Sequence, residues 1–125
     1  MISIRLLQIL SIGVLAGCFA PGVASPRDSV LHIQPEPEVL TQAKEVGFDY
    51  IGNLRRAERG EIEATVALIN FSSHTDAAGA LAHGWVLLDV QQIMGRKKFA
   101  SILDRATNVG RTSALRIMEV ARTYQ

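Results

Sequence analysis

"HTDAAGALAHGWVLLDVQQIMG", residues 74–95, decides the fold. From Thr75 to Met94 its apolar residues recur at helical spacing. Leu81, Trp85 and Leu88 fall on one side, Val86 and Ile93 on a second, and Leu87, Val90 and Met94 on a third. A helix that is apolar on nearly every side belongs in the middle of a domain. Ala77, Ala78, Gly79, Ala80, Ala82 and Gly84 are small, which allows close helix crossings near its start. In the preceding break, "SSHTD", Ser73 is a candidate cap, with Asp76 three residues on in the capping-box position. Gly95 closes the helix.

Upstream, Val39, Leu40, Ala43, Val46, Gly47, Tyr50, Ile51 and Leu54 keep three-and-four spacing and predict one helix over residues 37–58. Pro37 suits its first turn and Glu38 its positive end, while Arg55, Arg56 and Arg59 suit the other end. Gly47 and Gly52 each weaken such a helix by about 1 kcal/mol relative to Ala. Gly60 ends it, and "EIEATVALINF" (61–71) forms a second helix so soon afterwards that the two must be antiparallel or steeply crossed. Downstream, Arg96, Lys97 and Lys98 are read as complementing the negative end of the third helix. Phe99, Ile102 and Leu103 define a short fourth helix. Thr107 or Asn108 caps a fifth, with Ala114, Ile117, Met118 and Ala121 turned inward. No segment alternates with period two for long, and no Asn-Gly or Asp-Gly turn occurs. The expectation is an all-α domain over residues 38–125, about five short helices in an irregular bundle or α-α array.

The first residues have a different character. Arg5 supplies a positive start and "LLQILSIGVLA" an apolar run too short for a membrane span, so residues 1–17 read as a signal peptide. Leu15, Ala16, Gly17 and Cys18 resemble the bacterial lipobox. That resemblance implies diacylglycerol on the Cys18 thiol, with Cys18 as the new N-terminus. The rival site is Gly22-Val23-Ala24, cut before Ser25, which would leave a periplasmic or secreted chain. Residues 18–37 hold all four Pro, at 21, 26, 35 and 37, and read as an extended linker with His32 solvated. Cys18 is the only Cys, so the mature domain has neither a disulfide nor a catalytic thiol.

The domain offers little chemistry. His74, Asp76 and His83 are the only grouping worth testing for a metal. Asp76 and His83 share a helix face but stand about 10.5 Å apart along the axis. One ion needs ligands three or four residues apart. His74 and Asp76 therefore read as capping residues, and His83 as an edge-of-core side chain bonded to backbone. No Ser lies in a Gly-x-Ser-x-Gly turn, and no phosphate loop or dinucleotide fingerprint is present. No catalytic, metal or cofactor residue is assigned. Trp85 is read as core.

The formal net charge of +1 falls to zero once Arg5 is removed. Residues 27–63 carry five basic against eight acidic residues, a net −3, and residues 96–122 carry seven against two, a net +5. Without a basic stripe interleaved with aromatics, nucleic acid is not an expected partner. The sequence points to an exported, lipid-anchored, non-catalytic envelope protein that binds another protein and reaches the membrane through Cys18. An inhibitor or immunity protein for an envelope enzyme or toxin is the alternative, and a metal-dependent hydrolase at His74, Asp76 and His83 a third reading.

Overall fold

The computed structural model describes residues 32–125. The signal peptide, Cys18, both cleavage sites and the linker up to Leu31 lie outside the described residues. Within them the chain is all-helical, with six α-helices, one 3-10 turn and no strand. The helices are α1 (Pro37–Glu45), α2 (Tyr50–Glu58), α3 (Ile62–Phe71), α4 (Ala77–Met94), α5 (Arg96–Leu103) and α6 (Asn108–Thr123), with the 3-10 turn Ser72–His74 between α3 and α4.

The helix expected over residues 37–58 is two helices. Gly47 adopts φ +70, the left-handed region that side chains disfavour. Its N–H bonds to the Lys44 carbonyl at 3.1 Å, and that of Phe48 reaches back to Ala43 at 2.8 Å. These paired bonds form a Schellman motif that satisfies the last carbonyls of α1. Asp49 then caps α2, its carboxylate accepting from the Gly52 N–H at 3.0 Å. The apolar period runs through the break because α1 and α2 both turn their stripe, Val39, Ala43, Tyr50 and Leu54, into the same core. Gly60 ends α2 in the same way as Gly47 ends α1: its N–H bonds to Ala57 and that of Glu61 to Arg56.

Helix α4 is the central element, and α6 is its most extensive neighbour. The small residues explain the approach. A Cβ added at Gly84 would stand 2.6 Å from the Ile117 carbonyl oxygen and 2.9 Å from the Ala121 Cβ. One residue on, the Trp85 indole N–H donates to the Ala121 carbonyl at 3.2 Å. Ala77 and Leu81 lie beside Ile117 and Val120, and Leu88 beside Arg122, so α4 and α6 run in the same direction. Burial around α4 is less even than its composition implies. Ala82, His83, Val86, Leu87 and Val90 are buried, whereas Leu81, Trp85 and Leu88 are half-buried and Ile93 is 45% exposed. The inward residues expected in the last two helices, Phe99, Ile102, Leu103, Ala114, Ile117, Met118 and Ala121, are all buried.

The helix ends differ from expectation at two places. Ser73 does not cap α4; its hydroxyl donates to the Asn70 carbonyl, and Asp76 occupies the N-cap without a side-chain capping bond. The 3-10 turn carries the chain past Ser73 before α4 can begin, so Ser73 lies too early. Arg96, Lys97 and Lys98 form the first turn of α5, because Gly95 alone separates it from α4. His32 is exposed, and its Nδ1 lies 3.2 Å from Glu58 Oε1. Beside it, Ile33 donates its N–H to Glu58 at 2.6 Å and accepts from Arg55 at 3.0 Å. Of the two candidate caps for α6, Thr107 is used. Its hydroxyl accepts from the Gly110 N–H at 3.0 Å, and Asn70 Oδ1 accepts from the Thr107 N–H at 2.9 Å.

Candidate functional site

The three residues tested for metal binding are not gathered. His74 sits exposed in the 3-10 turn, 6.2 Å ring to ring from Phe71. Asp76 is exposed, and Gln42 of α1 holds it. The Gln42 amide donates to the Asp76 carboxylate at 2.5 Å and to its carbonyl at 3.1 Å, and accepts from its N–H at 3.2 Å. Among the described residues no three His, Cys, Asp or Glu side chains are placed to share an ion.

His83 is deep in the core and not at its edge. Its surroundings follow from the end of α3. There the Ser72 N–H bonds to Ile69 as the helix tightens into the 3-10 turn, so it leaves the Leu68 carbonyl without its usual partner. His83 Nε2–H donates to that carbonyl at 2.9 Å. A carbonyl only accepts, so Nε2 carries the proton and Nδ1 accepts from the Tyr50 hydroxyl at 2.6 Å. Tyr50 and Phe71 pack against the imidazole, their rings 5.5 and 5.3 Å from it and edge to face, and Phe48 packs on both of them. Burial lowers the His83 pKa to about 4, against a smaller opposing effect of the bond to Leu68. Burial likewise raises the Tyr50 phenol. Both stay neutral across the physiological range, and both imidazole nitrogens are committed to structural bonds.

The role of Tyr50 was not read from sequence, where it counted as one more apolar stripe residue. A signal existed: a buried Tyr and a buried His each require a hydrogen-bond partner. Nothing in the linear spacing says that they supply one another.

Besides clefts beside the α1–α2 turn, two surface features lie along the α4–α6 pair. A shallow groove of about 140 Å³ runs between α4 and α6, lined by Ala77, Ala80, Leu81, Ile117 and Val120, with Arg116 at its edge. Val120 is 46% exposed there. A larger cleft of about 410 Å³ lies at the far end of the same helix pair, where Arg96 and Arg122 stand with Leu88, Gln91 and Gln92. No described helix is long and apolar enough to cross a membrane. No family model, curated protein or solved structure matches this chain.

Proposed function

We propose that this chain is an exported, lipid-anchored, non-catalytic helical domain that binds another protein in the cell envelope. Residues 1–17 act as the signal, Cys18 carries the lipid, and the Pro-rich stretch that follows spaces the domain from the bilayer. The observation that carries the protein-binding half is the apolar line along α4. Leu81, Trp85 and Leu88 are only half-buried, and Val120 of α6 extends that surface into solvent. The non-catalytic half is supported by His83, a potential acid–base group whose two nitrogens are spent on Tyr50 and Leu68.

Two measurements test this reading. The intact mass of chain extracted from membranes is expected to correspond to an acylated polypeptide beginning at Cys18. An unmodified chain beginning at Ser25 in the soluble fraction refutes the anchor. A photo-crosslinking residue at Val120 is expected to give one discrete protein adduct in cells, and the same probe at Thr112, an exposed position away from the groove, is expected to give none. Identical patterns at the two positions refute the assignment of the groove.

A further inference from the structure

One end of the domain gathers unpaired positive charge beside the point where the chain leads back to Cys18. Helix α2 ends at Glu58, whose carboxylate holds His32 and Ile33. Two residues on, the Gly60 carbonyl accepts from Lys98 Nζ at 3.2 Å, which places the start of α5 at this same end. Arg96, from that first turn, shares a cleft with Arg122 from the last turn of α6. The first turn of α5, with Arg96, Lys97 and Lys98, and the last turn of α6, with Arg122, thus lie at the end of the domain where the described chain begins.

Stability accounts for only part of this arrangement: Lys98 closes the end of α2 through the Gly60 carbonyl and Arg122 lies in the last turn of α6, where the dipole favours positive charge, whereas Arg96 and Lys97 have no such contact. All four are exposed, and among the described residues none is in an ion pair. The carboxylates at this end, Glu58 and Glu61, are already engaged by Arg55 at 2.9 Å and Arg59 at 3.4 Å. Three of the four cations occupy the first turn of α5, where the helix dipole opposes positive charge.

The chain outside the described residues says what lies opposite. Only residues 19–31 separate Cys18 from His32, and even fully extended they reach at most about 50 Å. A lipid on Cys18 therefore keeps this end within that distance of the bilayer, with the cations beside the point of entry. We propose, resting on the lipid-anchored reading above, that the end bearing Arg96, Lys97, Lys98 and Arg122 docks on the anionic surface of a phospholipid bilayer. Lipid phosphates accept hydrogen bonds from the guanidinium and ammonium groups, and the docking presents the rest of the domain, including the α4–α6 groove, away from the lipid.

The test uses the full chain carrying Cys18→Ser, so that no attached lipid contributes. Sedimentation with vesicles of phosphatidylcholine containing about 30% phosphatidylglycerol is compared with pure phosphatidylcholine, which removes the electrostatic attraction and retains any apolar insertion of the N-terminal residues. The quadruple variant R96Q/K97Q/K98Q/R122Q is expected to lose on the order of 100-fold in affinity for the anionic vesicles. The control R105Q/R111Q/R116Q removes three charges outside this cluster and is expected to lose at least about tenfold less. Equal binding to neutral and anionic vesicles overturns the proposal, as does a loss in the control that comes within tenfold of the quadruple variant's. A missing acyl group at Cys18 appears in the intact mass and defeats the anchor, whereas a missing charge dependence appears in the sedimentation and defeats the docking.

Discussion

Acidification should destabilise this domain through a single residue, His83. In the unfolded chain its imidazole titrates near the ordinary value of about 6.5. In the folded domain it is fully buried, and its pKa is lowered to about 4. Between these values the unfolded chain binds a proton that the folded chain refuses, so lowering the pH favours unfolding. The contribution is fully present above about pH 6.5, is lost progressively as the pH falls, and is gone near about pH 4. The interval of roughly 2.5 pH units, at about 1.4 kcal/mol each, amounts to about 3.5 kcal/mol. A domain of this size has roughly 5–15 kcal/mol to lose. The structural event is concrete. A proton on Nδ1 displaces the hydrogen that Tyr50 donates, and the tyrosine hydroxyl must turn to accept. Urea unfolding followed by Trp85 fluorescence, at about pH 7, 6, 5 and 4.5, measures the effect. His83→Gln is the control: its amide is able to donate to Leu68 and accept from Tyr50, but it does not titrate. It should start less stable by about 1–3 kcal/mol and show a flatter profile over this range. Parallel profiles for the two proteins refute the reasoning. So does an imidazole resonance for folded His83 that titrates near its ordinary pKa.

Gly84→Ala should destabilise by about 1–3 kcal/mol in the same urea assay, because the new methyl meets the Ile117 backbone carbonyl, which cannot swing aside as a side-chain tip does. Leu87→Ala should lower stability by about 2–5 kcal/mol and Leu88→Ala by clearly less, since Leu87 is fully buried and its neighbour only half so; equal midpoints contradict the assigned orientation of α4. The Ser72 hydroxyl is buried without a hydrogen-bond partner, so Ser72→Ala should leave the urea midpoint unchanged or raise it by up to about 1 kcal/mol.

Helical class and most of the core were legible because both are properties of short-range spacing. Three-and-four periodicity marks which side chains of α5 and α6 face inward regardless of what they face. Glycine position was legible wherever it coincided with a change of pattern, as at Gly60 and Gly95. At Gly47 it did not coincide. The stripe continues from Val39 to Leu54 across the Schellman turn, because two helices on one core repeat the same inward spacing as a single long one. The residues "VGFD" (46–49) hold both the left-handed glycine and the next N-cap, so that boundary was written in the chain and masked by the period.

Pairing across helices lay beyond the sequence. Tyr50 and His83 are 33 residues apart, and Gln42 and Asp76 are 34 apart. Periodicity assigns each of them a face and cannot name the partner that face meets. His83 was accordingly placed at the edge of the core, although its bond to backbone was expected. Only the packing of α2, α3 and α4 brings the freed Leu68 carbonyl and the Tyr50 hydroxyl to its two nitrogens and makes full burial tolerable. The basic run from Arg96 to Lys98 shows the same division. Its charge was plain in the sequence, but its place beside Arg122 and the point of entry at His32 depends on the start of α5 lying beside the ends of α2 and α6. Local periodicity acts within a turn or two of helix, whereas the partners of a buried polar group are set by which helices the core brings side by side.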